Sequence, residues 1–170
     1  MKLDKSNITL IGMAGAGKST VGRLLAKKLN YTFVDTDEVM AQKEGLEIHT
    51  IIQSIGEKKF TGLEEKYILG LGDIKNSVIS PGGSVIYSDK SMNFLRQKSI
   101  IVFLDASYTK IKKRLEKRKN LSIIGLKQQG LKRLFFSRLE KYMKHADVTV
   151  QIEHKSAKNI AKEVLGLIKH

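Results

Sequence analysis

Near the start of the chain lies Gly12-Met13-Ala14-Gly15-Ala16-Gly17-Lys18-Ser19-Thr20, which matches the phosphate-binding pattern G-x-x-x-x-G-K-[ST]. The apolar run from Ile8 to Ile11 precedes it and predicts a buried strand, and apolar residues at helical spacing from Val21 to Leu29 predict a helix after it. Strand, glycine-rich loop and helix together surround a phosphate with backbone N–H groups. The stretch therefore predicts nucleotide binding.

Each residue type in this loop suits a nucleotide. Gly12, Gly15 and Gly17 can adopt a positive φ and let the backbone approach an anion closely. Lys18 can reach the β- and γ-phosphates, and the hydroxyl of Ser19 is a natural ligand of Mg²⁺. The predicted nucleotide-binding residues of the loop are Gly12, Ala14, Gly15, Ala16, Gly17, Lys18, Ser19 and Thr20. A chance match to the pattern is the alternative, and the flanking strand and helix make it rarer.

The composition restricts the class of protein. The 170 residues, 41% of them hydrophobic, predict a single domain over 1–170 with a substantial core. No apolar run approaches the ~20 residues of a membrane span, and residues 1–7 lack the apolar region of a secretory signal. The absence of cysteine excludes disulfides, thiolate catalysis and cysteine-based zinc sites, and it suits a reducing compartment. We expect a cytoplasmic monomer with no membrane partner.

The chain is strongly basic, with a formal net charge of +14. Such a charge attracts polyanions, so nucleotides, nucleic acid, anionic membranes and acidic metabolites are candidate partners. A lysine-rich solvated surface is the alternative that we favour, because the lysines are spread over most of the predicted helices. Aromatic residues make up only 6% of the chain and do not interleave with basic residues in the manner that stacks bases. A nucleic-acid partner is not expected.

Strands alternate with helices along the rest of the chain. Predicted strands cover 31–35, 78–79, 100–104 and 148–152, and predicted helices cover 38–41, 48–55, 57–71, 92–95, 108–119, 131–142 and 157–168. The segment 120–130 is polar and bounded by Asn120 and Gly130, which predicts a mobile loop. The alternation predicts an α/β domain with a central parallel sheet and right-handed crossovers.

Three polar features follow predicted strands and so meet at the carboxyl edge of the sheet, where open α/β sheets bind ligands. They are the glycine-rich loop, the pair Asp35 and Asp37, and the turn Pro81-Gly82-Gly83-Ser84. Asp35 is placed to hold Mg²⁺ directly or through water, and Asp37 could accept a proton from an attacking hydroxyl. A solvated helix N-cap is the alternative for Asp37. The two glycines of the turn allow main-chain N–H groups to face a substrate, with an ordinary turn as the alternative.

Other polar residues carry weaker signals. Arg138 lies on a predicted helix, where an isolated arginine is usually part of a solvated face. The basic run 110–119 also indicates a solvated face, although its end borders the predicted loop. The four histidines have no metal-ligand spacing.

With these features in place, the chain resembles the shikimate kinases, a family of small kinases with this phosphate-binding loop, over essentially its whole length. The matching positions are Gly12 to Thr20, Phe33-Val34-Asp35-Thr36-Asp37, Gly45 with Ile48, Gly56-Glu57 with Phe60 and Glu64, Gly82-Gly83, and Arg138 with Tyr142 and Ala146. The resemblance implies the three-layer α/β/α fold of P-loop NTPases, in the form that shikimate and nucleoside monophosphate kinases share. It also implies a nucleotide-binding core, a substrate-binding subdomain over about 37–63 and a lid over about 120–130.

The resemblance further implies an activity, the conversion of shikimate and ATP to shikimate 3-phosphate and ADP, with Mg²⁺ accompanying ATP. By position, Lys18 and Ser19 would serve the phosphates and the metal, and Asp35 would serve the metal. Asp37 would hold the substrate hydroxyls, which makes Lys18 and Asp37 the expected catalytic residues. The other residues that the family pattern assigns are Gly82, Gly83 and Phe60 at the substrate, Arg138 at its carboxylate and Arg114 against adenine.

The chain departs from the family at three positions. Thr61 stands where the family has an arginine that binds the substrate carboxylate, Leu121 where it has a lid arginine directed at phosphate, and Ser84 where it has a third glycine. Arg118 or Lys119 could substitute for the lid arginine. Losing a bidentate arginine–carboxylate contact costs about 1.5–3 kcal/mol of binding free energy, which leaves the reaction class intact and the acceptor open.

Two further hypotheses therefore stay open beside the phosphorylation of shikimate. One is a related kinase that acts on another small hydroxylated, anionic metabolite. The other is a nucleotide-binding regulatory or nucleic-acid-associated protein on a kinase-like scaffold without catalytic activity.

Overall fold

The computed structural model describes residues 5–169, so that 1–4 and 170 lie outside it. The elements within that range are, in chain order, β1 (Asn7–Ile11), α1 (Lys18–Leu29), β2 (Thr32–Asp35), α2 (Thr36–Glu44), α3 (Ile48–Ile55), α4 (Glu57–Leu69), β3 (Ser77–Ser80), α5 (Asp89–Lys98), β4 (Ser99–Asp105), α6 (Tyr108–Glu116), α7 (Leu126–Gln129), α8 (Leu131–His145), β5 (Val148–Gln151) and α9 (Ala157–Ile168). A short 3₁₀ turn, Val85–Tyr87, lies between β3 and α5.

The strands of the described range form one five-stranded parallel sheet in the order β2-β3-β1-β4-β5. Ile8 of the central strand β1 pairs with Val78 of β3 on one side and with Ile100 of β4 on the other. Every residue of β1 and β3 is buried, because parallel strands are covered by helices on both faces. The predicted three-layer α/β/α fold with a central parallel sheet is confirmed.

The helices lie on both faces of the sheet. α1 packs against α9 and β3 in one layer, and α5 and α8 pack on β4 in the other. The carboxyl ends of all five parallel strands face the same edge of the sheet, and the glycine-rich loop and the turn after β3 lie there. No helix within residues 5–169 has both the length and the apolar character needed to cross a bilayer.

Several helix boundaries differ from the sequence-based prediction. The helix predicted over 108–119 ends at Glu116, since Ile111 and Leu115 are its buried residues and nothing apolar follows in 117–119. The helix predicted over 92–95 is the longer α5, because the hydroxyl of Ser88 accepts a hydrogen bond from the N–H of Ser91 and caps its start. The helix predicted over 38–41 is also longer in the structure, where α2 covers Thr36–Glu44.

The helices α2, α3 and α4 pack around a small apolar cluster that is separate from the main core. Met40, Ile51, Ile52 and Phe60 are its buried members. Ile124, from the segment 120–130, packs against the same cluster. The polar loop predicted over 120–130 contains the short helix α7 and a buried Ile123, so it is not irregular throughout. The cluster fixes the helices that carry Asp37, Phe60 and Glu64 beside the open edge of the sheet.

Candidate active site

The glycine-rich loop has the backbone conformation that its sequence predicts. Gly12, Gly15 and Gly17 have φ values of 149°, 85° and 92°, which residues with a Cβ rarely adopt. A Cβ on Gly12 would also lie 2.9 Å from the carbonyl oxygen of Leu104 at the end of β4. Neither a side-chain cap nor an acidic residue occupies the first turn of α1. The free N–H groups at this helix end are therefore available to an anion.

Lys18 is a partly buried cation held by the loop itself. Its Nζ donates to the carbonyl oxygens of Gly12 at 2.7 Å and Met13 at 3.0 Å. Burial lowers the pKa of Lys18 to about 8, while the nearby carboxylates of Asp37 and Asp35 act in the opposite direction. The direct partners of this ammonium group are neutral carbonyl oxygens, and a polyphosphate in the loop would place negative charge next to it.

Ser19 and Asp35 form a pair of oxygen ligands next to the loop. The hydroxyl of Ser19 donates to Oδ2 of Asp35 at 2.7 Å. Oδ1 of Asp35 accepts from the backbone N–H groups of Asp37 at 3.1 Å and Glu38 at 3.2 Å, so Asp35 is the N-cap of α2. The alternative in which Asp37 caps this helix is wrong, because a cap accepts from residues two and three positions ahead and Asp37 already lies in the first turn.

Asp37 has an oxygen that is ready to accept a hydrogen bond. Its Oδ1 is buried and has no hydrogen-bond partner in the described part of the chain. Burial and then the charge of Asp35 raise the pKa of Asp37 to about 6, against the opposing effect of Lys18. A Cβ on Gly82 would lie 3.1 Å from this oxygen, so the absence of a side chain at Gly82 keeps the space in front of Asp37 open.

Glu64 is a site residue to which the sequence reasoning assigned no role. It is 3% exposed, and the hydroxyl of Ser84 donates to its Oε1 at 3.0 Å and its Oε2 at 3.1 Å. Burial and then the charge of Asp37 raise the pKa of Glu64 to about 7. Its spacing of four residues from Phe60 puts both on one face of α4, and this is the signal that could have identified it.

Arg138 is buried at 1% exposure, so its interpretation as part of a solvated face is wrong. Its Nε donates to the hydroxyl of Tyr87 at 3.2 Å, and its Nη2 donates to the carbonyl oxygen of Ile124 at 2.8 Å. On the same helix, the hydroxyl of Tyr142 donates to the carbonyl oxygen of Gly83 at 2.6 Å. These contacts tie α8 to the turn after β3 and to the segment 120–130.

Three adjoining cavities bring the predicted site residues together. The loop cavity, of about 200 Å³, is lined by Ala14, Gly15, Gly17, Lys18, Ser19, Thr20, Asp35, Asp37, Ser80, Pro81, Gly82, Gly83 and Arg118. The Arg138 cavity, of about 80 Å³, is lined by Ala14, Asp37, Ile48, Ile52, Phe60, Glu64, Gly82, Gly83, Ser84, Ser122, Ile123, Ile124 and Arg138. Asp37 and the two glycines belong to both and form the wall between them.

The third cavity continues from the other end of the loop. This Arg114 cavity, of about 370 Å³, is lined by residues that include Gly15, Ala16, Thr20, Arg114, Lys117, Arg118 and Lys155. Nη1 of Arg114 donates to the carbonyl oxygen of Gly15 at 2.7 Å, which holds the guanidinium against the loop. Because the Arg114 cavity and the loop cavity share lining residues, the two together suit an elongated ligand that runs from one into the other.

The structure also shows the contacts of the residues that depart from the family pattern. The hydroxyl of Thr61 donates to the backbone oxygen of Lys58 at 2.7 Å, and among the described residues Thr61 lines none of the three cavities. Leu121 packs against the main core. Of the two residues suggested in place of the lid arginine, Arg118 lines the loop cavity and Lys119 does not.

The segment 120–130 is attached to the elements around it. The carboxylate of Glu57, in the first turn of α4, accepts from the N–H of Gly125 at 3.1 Å and from the side chain of Gln128 at 3.3 Å. Ile123 and Ile124 line the Arg138 cavity. The segment thus covers this cavity while Arg118, just before it, lines the loop cavity.

Comparisons with known proteins agree on one family. The family profile described as shikimate kinase matches residues 14–169. The shikimate kinase of Sulfurihydrogenibium sp. is 34% identical over 96% of this chain and 98% of its own length, and that of Actinobacillus succinogenes is 36% identical over 97% and 96%. The structure of shikimate kinase from Acinetobacter baumannii in complex with shikimate superposes with a TM-score of 0.89 at 32% identity, over 98% of this chain and 94% of that chain.

Proposed function

Because the chain belongs to the shikimate kinase family, we propose that it transfers the terminal phosphate of ATP to a hydroxyl group of shikimate. It is an ATP-dependent small-molecule kinase, as the resemblance predicted. The observation that carries the proposal is the position of Asp37. Asp37, whose buried Oδ1 has no hydrogen-bond partner among residues 5–169, forms part of the wall between a cavity that suits phosphate and a cavity that suits an acceptor.

On the phosphate side, the loop and Lys18 bind the β- and γ-phosphates. The N–H groups at the start of α1 contact phosphate oxygens, and the ammonium group of Lys18 exchanges the carbonyl oxygens of Gly12 and Met13 for them. Arg114 lies where the base and ribose would extend, and Arg118 contributes a cation near the transferred group. Positioning and charge stabilisation of this kind account for most of the catalysis in phosphoryl transfer.

Ser19 and Asp35 fit a magnesium ion. Both offer hard oxygen atoms at hydrogen-bond distance from each other, and Mg²⁺ in such enzymes takes one or two protein ligands beside phosphate oxygens and water. A bound Mg²⁺ would neutralise phosphate charge.

On the acceptor side, Asp37 orients the attacking hydroxyl and accepts its proton. Glu64 and the main chain at Gly82 and Gly83 offer further hydrogen bonds, and Arg138 pairs with a carboxylate. The apolar side chains that line the same cavity are Ile48, Ile52, Phe60, Ile123 and Ile124. A ring that has hydroxyls on one side and a carboxylate on the other satisfies all of these contacts, and shikimate is such a molecule.

A different small hydroxylated acceptor is the second candidate, and Thr61 is the observation that favours it. In the family pattern an arginine at this position binds the carboxylate, and here the Thr61 hydroxyl is bound to its own helix. An acceptor whose anionic group fits a single guanidinium would need only Arg138.

The remaining predictions from the sequence are part of the same proposal. They are a substrate-binding subdomain over about 37–63, a lid over about 120–130, a monomeric state and a cytoplasmic location. The lid would exclude water from the reacting phosphate and so favour transfer to the acceptor over hydrolysis of ATP.

A coupled assay of ADP release tests the proposal. Purified protein with Mg·ATP is assayed with shikimate, with quinate, with related polyols and without an acceptor. We expect ADP release that depends on shikimate and a phosphorylated product. Normal binding of Mg·ATP with turnover only on another acceptor would replace shikimate with that compound, and turnover on none of them would contradict the proposed function.

A further inference from the structure

Carboxylate recognition in this chain depends on one guanidinium group. Arg138 is the only cationic side chain that lines the Arg138 cavity among residues 5–169, and Thr61 offers no second one. A single arginine recognises a carboxylate well only if its planar fork is held in the correct orientation, because a mobile side chain loses rotamer entropy when it binds. Whatever holds Arg138 therefore affects the affinity for the acceptor.

We propose that Tyr87 is a positioning residue that holds the guanidinium of Arg138 so that its Nη1–Nη2 end binds the carboxylate of the acceptor. The proposal rests on the function proposed above, which supplies a carboxylate-bearing acceptor. Tyr87 does not contact the acceptor itself, and it acts through Arg138.

The hydrogen bonds of Arg138 leave one particular edge free. Arginine has five N–H donors, of which Nε carries one and each Nη carries two. Nε is used by the hydroxyl of Tyr87, and one hydrogen of Nη2 is used by the carbonyl oxygen of Ile124. Tyr142 also lies beside the guanidinium, with its hydroxyl donating to the carbonyl oxygen of Gly83, and the hydrogen bonds found within the described range leave Nη1 without an acceptor. A bidentate carboxylate can therefore approach the Nη1–Nη2 end and not the Nε side.

Two further contacts support this orientation. The ring of Tyr87 lies with its centroid 5.3 Å from Cζ of Arg138, so the same side chain restrains the guanidinium through both its hydroxyl and its ring. A Cβ on Gly83 would lie 3.0 Å from Nη1, so the glycine leaves the free end accessible. Tyr87 and Gly83 belong to one turn, which carries both the main chain that faces the acceptor and the side chain that orients its arginine.

Tyr87 has no evident role in the core. It is 39% exposed and does not belong to either apolar cluster of the described residues. Removing only its hydroxyl with Tyr87→Phe keeps the ring against Arg138 and creates no cavity. A change in acceptor binding in this variant therefore reports on the hydrogen bond to Nε.

Steady-state kinetics with two acceptors test the proposal. With shikimate, we expect Tyr87→Phe to raise the KM about 3- to 10-fold with kcat and the KM for ATP within about twofold of the parent values, as for a contact of equal strength in ground and transition states. With the methyl ester of shikimate, which has no carboxylate, parent and variant should have equal kcat/KM. The same penalty on both acceptors, or no penalty on shikimate, would overturn the proposal.

Tyr67→Phe is the matched control. It also removes one tyrosine hydroxyl that is hydrogen-bonded to a charged group, here Glu44 at 2.7 Å on the protein surface, and it should leave both KM values unchanged. Tyr87→Leu, which removes the ring as well, should raise the KM for shikimate further than Tyr87→Phe does.

A measurement without acceptor separates this proposal from the proposed function. In ¹⁵N NMR spectra, the Nε–H resonance of Arg138, identified by its loss in Arg138→Lys, should be protected from exchange in the parent and exposed in Tyr87→Phe. An identical resonance in both proteins would overturn the positioning role even if shikimate is phosphorylated. A protein that shows the expected NMR difference but no turnover of shikimate would keep Tyr87 as the group that orients Arg138 and contradict only the proposed acceptor.

Discussion

The buried carboxyl group of Glu64 should cost the protein stability, and Glu64→Gln should recover it. The side chain is 3% exposed, is close to Asp37 and has the hydroxyl of Ser84 as its hydrogen-bond donor. Glutamine has nearly the same shape and accepts from the same hydroxyl. The substitution therefore removes the negative charge and keeps the packing.

The size of the effect follows from the pKa of Glu64, which burial and Asp37 raise from 4.5 to about 7. Below about pH 4.5 the group is neutral in the folded and unfolded chains and has no effect. As the pH rises from there to about 7, the unfolded chain loses its proton first, so the free energy of unfolding of the parent falls relative to that of Glu64→Gln. Above about pH 7 the difference is complete, at about 3 kcal/mol.

Urea denaturation of both proteins at about pH 4.5 and about pH 8 measures this difference. Glu65→Gln is the control, because Glu65 is the next residue of α4 and accepts from Ser88, but its side chain is 29% exposed. That variant should change stability by less than about 1 kcal/mol at either pH. Equal midpoints for Glu64→Gln and the parent at both pH values, or a less stable variant at about pH 8, would refute the reasoning.

Three further predictions concern catalysis. Lys18→Ala should abolish ADP release while the protein keeps the thermal unfolding curve of a folded protein. Its control Lys27→Ala, exposed on the same helix, should keep both the turnover and the unfolding curve of the parent, and parental turnover in Lys18→Ala would contradict the assignment of the loop. Asp37→Asn should lower kcat about 10²-fold or more with little change in the KM for ATP, unlike the control Glu38→Gln, and parental kcat/KM should rise with pH through about 6 as Asp37 loses its proton. A large loss of ATP affinity with unchanged turnover would exclude that role. Thr61→Arg should lower the KM for shikimate about tenfold, unlike Thr61→Gln, and no effect would favour a different acceptor.

The elements that local sequence determines were predicted well. The apolar strands, the positive φ of the loop glycines and the order of strands and helices depend on residue types and spacing over short stretches, which the sequence displays directly. The same holds for the meeting of the loop, the Asp35 and Asp37 pair and the turn at Gly82, since the carboxyl ends of parallel strands meet by construction of the fold.

Features that depend on contacts between distant residues were not predicted from the residues alone. Arg138 is buried because Tyr87 and Ile124, far from it in sequence, accept its N–H groups. Ile123 and Ile124 lie in a short stretch whose apolar residues follow neither helical nor strand spacing, so no local pattern indicates that Ile123 is buried and Ile124 partly buried. The resemblance to a family gave Arg138 a role, but it could not give the contacts that orient it.

The attachment of the segment 120–130 has a thermodynamic consequence for the two substrates. Glu57 and Ile124 join the segment to the helices around the acceptor cavity, and Arg118 at its base lines the cavity for phosphate. A displacement of the segment therefore changes both cavities at once. By linkage, any factor by which bound ATP tightens acceptor binding through this segment must equal the factor by which the acceptor tightens ATP. Substrate synergism of this kind, reciprocal in both directions, would make the ternary complex more populated than the two separate affinities imply.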